Sequence, residues 1–114
     1  MKEDFLQKLF DLVEERKNST SKDSYVKSLF DAGHQKINEK VLEESLELLE
    51  ATLDTSNSKQ EKVIHEMADL WFHTLILLSN ENIKLEEIIS ELESRFGTSG
   101  HLEKALRSSS EEEK

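Results

Sequence analysis

Five acidic residues in two short patterns are the part of this chain whose types and spacing could do chemistry. Glu43-Glu44-Ser45-Leu46-Glu47 and Glu66-Met67-Ala68-Asp69 each sit inside an apolar periodicity that reads as helix. Residues three or four apart share a helix face, so Glu44 points with Glu47, and Glu66 with Asp69. If the two helices run antiparallel, four carboxylates converge. Such a group repels itself and resists desolvation unless a cation sits in it, and hard divalent ions such as Mg²⁺ prefer oxygen ligands. An oxygen-only set favours Mg²⁺ or Mn²⁺ over iron. Dinuclear iron bundles use Glu-x-x-His pairs, whereas here Asp69 follows Glu66 at that spacing and Glu50 follows Glu47. The competing reading is an ordinary solvated acidic face. Against it stands a coincidence: both helices carry paired acids flush against apolar residues, and Glu66, Asp69 and His73 share the one polar edge of an otherwise apolar helix.

The elements that must position these acids are legible from spacing. Phe5, Leu6, Leu9, Phe10, Leu12 and Val13 predict a first helix, with Asp4 as its N-cap or first-turn acid and a break at 18–21. Ser24 is placed to cap a short second helix carrying Tyr25, Val26, Leu29 and Phe30, which Gly33 ends. A third helix starts near Gln35 or Ile37 and runs to about Leu53, with Leu42, Leu46, Leu49 and Leu53 as its apolar stripe. Glu43, Glu44 and Glu47 span an arc of ~100° beside that stripe, so the acids are expected to border the core. After a polar turn at 54–58, residues from about Gln60 to Ser79 predict the strongest helix. Its second half is apolar nearly all round and must be buried on several sides. Leu85, Ile88, Ile89, Leu92 and Phe96 mark a further helix, and a last helical piece is expected over 102–106. Among the histidines, His73 could meet the Asp69 carboxylate or a phosphate, or simply be packed; His65 is expected on the flank.

Length and composition narrow the class. A chain of 114 residues with 3 glycines and no proline suits one all-α domain, a compact bundle of four to five helices over 1–107, followed by a disordered acidic tail at 108–114. With 25 acidic against 15 basic residues the formal charge is −10, which argues against general attraction to nucleic acid or an anionic membrane. No cysteine is present, so thiolate chemistry and disulfides are excluded. The charged opening Met1-Lys2-Glu3-Asp4 lacks a secretory apolar run, and a cytoplasmic protein is the simplest expectation. Burying the 70–78 surface within so short a chain calls for a homodimer or higher homo-oligomer.

Several segments together resemble the phosphoribosyl-ATP pyrophosphohydrolase family, within the MazG-like all-α nucleotide pyrophosphohydrolases. Ser24-Tyr25 and the Leu29 to Gly33 stretch resemble its Ser-Tyr-Thr and Leu-x-x-x-Gly segment, with Val26 in place of threonine. Lys40-Val41-Leu42-Glu43-Glu44-Ser45-Leu46-Glu47 is similar to its Lys-Val-Gly-Glu-Glu-x-x-Glu helix, with Leu42 for glycine. Glu66-Met67-Ala68-Asp69-Leu70-Trp71-Phe72-His73 is similar to Glu-x-Ala-Asp-Leu-x-Tyr-His, with Phe72 for tyrosine, and Arg95-Phe96-Gly97-Thr98-Ser99-Gly100 to Arg-x-Gly-Thr-Ser-Gly.

The resemblance implies hydrolysis of the α,β-phosphoanhydride of 1-(5-phosphoribosyl)-ATP, the second step of histidine biosynthesis, by Mg²⁺-activated water. Glu44, Glu47, Glu66 and Asp69 are then the metal ligands, and Glu43 lies behind them or acts as general base. Lys40, Arg95 and Lys104 become candidate phosphate contacts, each with an alternative as an ordinary surface or helix-end charge. Ser24, Tyr25 and His73 stand between substrate contact and packing. Two rivals remain: a housecleaning hydrolase of canonical or damaged nucleoside triphosphates, and a non-enzymatic acidic interaction module.

Overall fold

The apolar spacing between Phe5 and Val13 forms α1, Phe5–Lys17, in a computed structural model that describes residues 4–20 and 24–98. Asp4 takes the N-cap position, but its backbone is already helical and its side chain makes no capping bond, which corrects the expected role. Ser24 does cap α2, Tyr25–Ala32: its backbone is extended and its hydroxyl accepts the Lys27 N–H at 3.2 Å.

Gly33 alone separates α2 from α3, His34–Ala51, at φ 100° and ψ 174°. That region is essentially open only to glycine. A Cβ at Gly33 would meet nothing within 4 Å, so the demand is torsional and not steric. Gly33→Ala is therefore expected to lower unfolding free energy by about 1–3 kcal/mol in a urea titration, with α2 and α3 otherwise intact.

α4, Lys59–Asn80, follows a turn closed by Asp54, whose carboxylate accepts the Ser56 N–H at 2.6 Å and pairs with Lys62. These hydrogen bonds, that of Lys62 first, hold the Asp54 carboxyl well below the usual carboxylate range. Ile37 shares a core with Ile76, Glu47 stands beside Glu66, and Asp54 meets Lys62, so α3 and α4 run antiparallel. The premise on which the acids converge is met.

Val13, Leu29, Ile37 and Ile76, one from each of the first four helices, form the buried centre, with Val26, Phe30, Phe72 and Leu77 packed against it. A polar knot joins α1 to the end of α4. Fully buried Ser79 donates to Glu14 Oε2 at 2.8 Å, while Lys17 Nζ donates to the Ser79 carbonyl at 2.6 Å and to Asn82 Oδ1 at 3.1 Å. Every polar group drawn into this corner has a partner, as burial requires.

The leucine stripe departs from expectation. Leu42, Leu46, Leu49 and Leu53 are 61%, 53%, 59% and 78% exposed, and the buried face of α3 is made instead by Ile37, Glu44 and Ala51. At about 100° per residue the leucines lie roughly opposite Glu44, so Glu44 faces inward and the leucines outward, while Glu43 and Glu47 are exposed. Periodicity shows which residues share a face but not what covers it. α4 is likewise open on its outer side: within the 70–78 run Leu75 and Ile76 are buried but Trp71 is exposed, as are Ile64 and Met67 before it.

α5, Leu85–Glu93, begins where the Glu87 carboxylate accepts the Lys84 N–H at 2.8 Å, and it leads into a π-helical segment, Ser94–Thr98. The five helices, with no strand among the described residues, give the all-α class that was expected. Contacts divide the chain into two compact units, Met1–Ile83 with α1 to α4 and Lys84–Lys114 with α5. No helix among the described residues is long and apolar enough to cross a membrane. The helical piece expected over 102–106, with Lys104, and the tail at 108–114 lie outside the described residues.

Candidate functional site

The antiparallel pair α3 and α4 places Glu44 and Glu47 against Glu66, with one carboxylate oxygen of each lying within 4.8 Å of the others. Asp69, one turn further along α4, groups with Glu66 and His65 at the same spacing. The expected four-acid box is thus two overlapping triads that share Glu66. His65 is the member that sequence reasoning set aside on the flank; its Nε2 lies 3.3 Å from Asp69 Oδ2, and the four-residue spacing was the available signal.

Glu44 is only 6% exposed, and its Oε2 is buried with no hydrogen-bond partner, as is Oε2 of Glu66. Buried acceptors are almost always satisfied, so two orphans side by side call for a ligand that donates charge. Burial, then the neighbouring Glu47, pushes the Glu44 carboxyl above its ordinary range; burial and the bond shared with Glu47 do the same for Glu66. A hard divalent cation reverses both effects at once by meeting the orphaned oxygens and cancelling the repulsion. The donor set fits one.

Around this cluster the other candidates divide. Lys40 Nζ lies 3.0 Å from Glu43 Oε2 and 3.6 Å from Glu44 Oε1, at the rim of the site. Its hydrogen bond holds the exposed Glu43 carboxyl below the ordinary range, and Glu43 belongs to neither triad. His73 is buried and meets the backbone of Asp69, not its carboxylate: Nδ1 is 2.7 Å from the Asp69 carbonyl oxygen. A carbonyl only accepts, so Nδ1 carries the proton, and in the neutral ring Nε2 accepts from the Tyr25 hydroxyl at 2.8 Å. Burial pushes the Tyr25 hydroxyl up, which keeps it a donor. Ser24 spends its hydroxyl on the α2 cap. Arg95 lies in the second unit, with Nε 2.9 Å from Glu91 Oε1, and Lys104 is outside the described residues. A cleft of about 460 Å³, lined by Glu47, Glu50, Ala51, Asp54, Lys62 and Glu66, opens beside the acids.

Over residues 6–96 the chain matches the family model described as phosphoribosyl-ATP pyrophosphohydrolase. The chain belongs to the phosphoribosyl-ATP pyrophosphohydrolase family. Relatives named phosphoribosyl-ATP pyrophosphatase span nearly its whole length. That of Vesicomyosocius okutanii is 49% identical over 92% of this chain and 97% of its own, and that of Ruthia magnifica 46% over 91% and 96%. A third, from Hydrogenovibrio crunogenus, is 44% identical over 95% of this chain and 96% of its own. Phosphoribosyl-ATP pyrophosphohydrolases are a MazG-like helical family, in keeping with the five helices here. The matched span holds both acid triads, Lys40, Tyr25 and His73, and it runs across the two compact units.

Proposed function

We propose that this chain hydrolyses 1-(5-phosphoribosyl)-ATP to 1-(5-phosphoribosyl)-AMP and pyrophosphate, the second step of histidine biosynthesis. The observation that carries the reading is the convergence of Glu44, Glu47 and Glu66, with orphaned buried oxygens, in a chain of this family. Glu44, Glu47, Glu66 and Asp69 hold Mg²⁺, with Mn²⁺ as the alternative of similar chemistry. When bound, the ion neutralises triphosphate oxygens, polarises the α,β-anhydride and lowers the pKa of water.

The chain's own groups do the rest. Lys40, held by Glu43 and Glu44, presents its ammonium to the phosphate oxygens at the rim, and Glu43 orients it. His73 fixes the Tyr25 hydroxyl through Nε2 and is itself fixed through the Asp69 carbonyl, so ring and hydroxyl are preorganised beside the acids. A protein of charge −10 thereby holds a polyanion through cations and one lysine. Product analysis tests the bond that breaks: phosphoribosyl-AMP and pyrophosphate in equal amounts are expected, and release of orthophosphate contradicts the reading.

The working form is a homodimer in the cytoplasm. What supports dimerisation is the outward leucine stripe of α3 together with exposed Ile64, Met67 and Trp71 on α4, apolar surface that a second copy would remove from water. Leu46→Glu combined with Leu49→Glu is expected to give a monomer by analytical ultracentrifugation at micromolar concentration, where the parent sediments as a dimer. The family match across both compact units supports reading 1–107 as one functional domain.

A further inference from the structure

A second cavity, of about 300 Å³, lies where α1, α2 and α4 meet, lined by Leu12, Val13 and Arg16 of α1, Ser24, Tyr25 and Val26 at the start of α2, and Phe72 of α4. Its walls are mainly apolar, as expected of a site for a flat ring. Among the described residues Arg16 is the only charged one lining it, and its guanidinium has no ion-pair partner among them. The neighbouring Lys17 is already engaged with the end of α4, so Arg16 is the cation that this end of α1 leaves available. Tyr25 joins the cavity to the acids: it lines the cavity, while its hydroxyl rests on His73 and feels the charges of Lys40, Glu44 and Asp69.

The substrate proposed above differs from an ordinary nucleoside triphosphate by a second ribose 5-phosphate on the purine, remote from the triphosphate. A site that distinguishes the two needs a cation remote from the metal cluster, beyond an apolar surface for the purine. We propose that Arg16 is a specificity-determining residue that binds the 5-phosphate of the additional ribose, with the purine seated against Tyr25, Val26 and Phe72. The guanidinium fork suits a phosphate terminus bidentately. In a chain with 10 more acids than bases, an arginine that pairs with no described acid, at an apolar cavity, is a local reversal of charge that favours an anion. The bland alternative is a counter-charge for the C-terminal end of α1, whose last turn holds both Arg16 and Lys17.

The inference rests on the proposed function, and inhibition by two products separates their failures. Inhibition constants for phosphoribosyl-AMP and for AMP, which lacks the extra phosphoribosyl group, are measured on the parent, Arg16→Gln and Arg16→Lys, with thermal melts alongside. Arg16→Gln is expected to weaken phosphoribosyl-AMP about 10- to 100-fold, the usual loss for a charge-assisted bond, while AMP is unchanged. Arg16→Lys, which keeps the charge and the helix-end role, is expected to lose less and serves if the glutamine variant folds poorly. Equal weakening of both nucleotides, no change in either, or a parent that does not prefer phosphoribosyl-AMP over AMP overturns the assignment. Failure of the parent to release pyrophosphate from phosphoribosyl-ATP overturns the proposed function instead.

Discussion

Glu66→Gln is expected to lower pyrophosphate release from phosphoribosyl-ATP about 10³-fold while leaving the helices folded. Glu66 is the carboxylate common to both triads, so its replacement weakens the grouping with Glu44 and Glu47 and the grouping with His65 and Asp69 together. Glutamine keeps the shape but offers one neutral oxygen in place of a charge, and the loss of a preorganised electrostatic contact at a reacting phosphate is of order 10²–10³. The core residues Val13, Leu29, Ile37 and Ile76 are untouched, so circular dichroism should be unchanged. Glu43→Gln is the natural contrast: its carboxylate is turned to Lys40, and less than a tenfold loss is expected. If Glu43→Gln were as damaging as Glu66→Gln, Glu43 would be the general base after all.

The second large effect is on stability and depends on pH. Burial and Glu47 raise the folded-state pKa of Glu44 above its ordinary value of 4.5, so between those two values the folded protein binds more protons than the unfolded chain. Stability of the metal-free protein should therefore be greatest below about pH 4.5 as far as this group is concerned, and should fall as pH rises through the folded-state pKa. Glu66 acts with the same sign. Asp54 acts oppositely: its pKa is lowered by Lys62 and Ser56, so its contribution is present above the ordinary aspartate value and is lost only in stronger acid. Added Mg²⁺ competes with protons for the Glu44 and Glu66 oxygens, and its stabilising effect should grow with pH. Thermal melts from pH 5 to pH 8, with chelator and with Mg²⁺, are expected to diverge at the upper end. In Glu44→Gln the metal-free protein should be more stable than the parent at neutral pH, and the divergence should shrink. Parallel curves for parent and variant would contradict a cation site at Glu44.

How much of this was legible in the sequence can be traced through single residues. The helix bounds followed from apolar spacing, from Ser24 and from Gly33, because caps and forced torsions are local properties. The acid pairs were legible for the same reason, since three- and four-residue spacing fixes a shared face. What spacing could not give was the environment of that face. Glu44 turned out to be buried with Ile37 and Ala51 and the leucines exposed, because tertiary packing with α2 and α4 chose that face of α3. The Lys17, Ser79 and Glu14 knot joins residues more than 60 positions apart and leaves no trace in any local pattern. His73 was correctly placed near Asp69, but its bond to the backbone carbonyl, which frees Nε2 for Tyr25, depends on a rotamer that no sequence shows.

The most direct test of the central claim is a side-by-side measurement of pyrophosphate release from phosphoribosyl-ATP and from a panel of nucleoside and deoxynucleoside triphosphates, with Mg²⁺ present and after chelation. Phosphoribosyl-ATP is expected to be the preferred substrate by about 10²-fold or more in kcat/KM, the scale set by one additional charged contact, with activity lost on chelation. Equal or faster hydrolysis of any other triphosphate, or no pyrophosphate from phosphoribosyl-ATP, would contradict it.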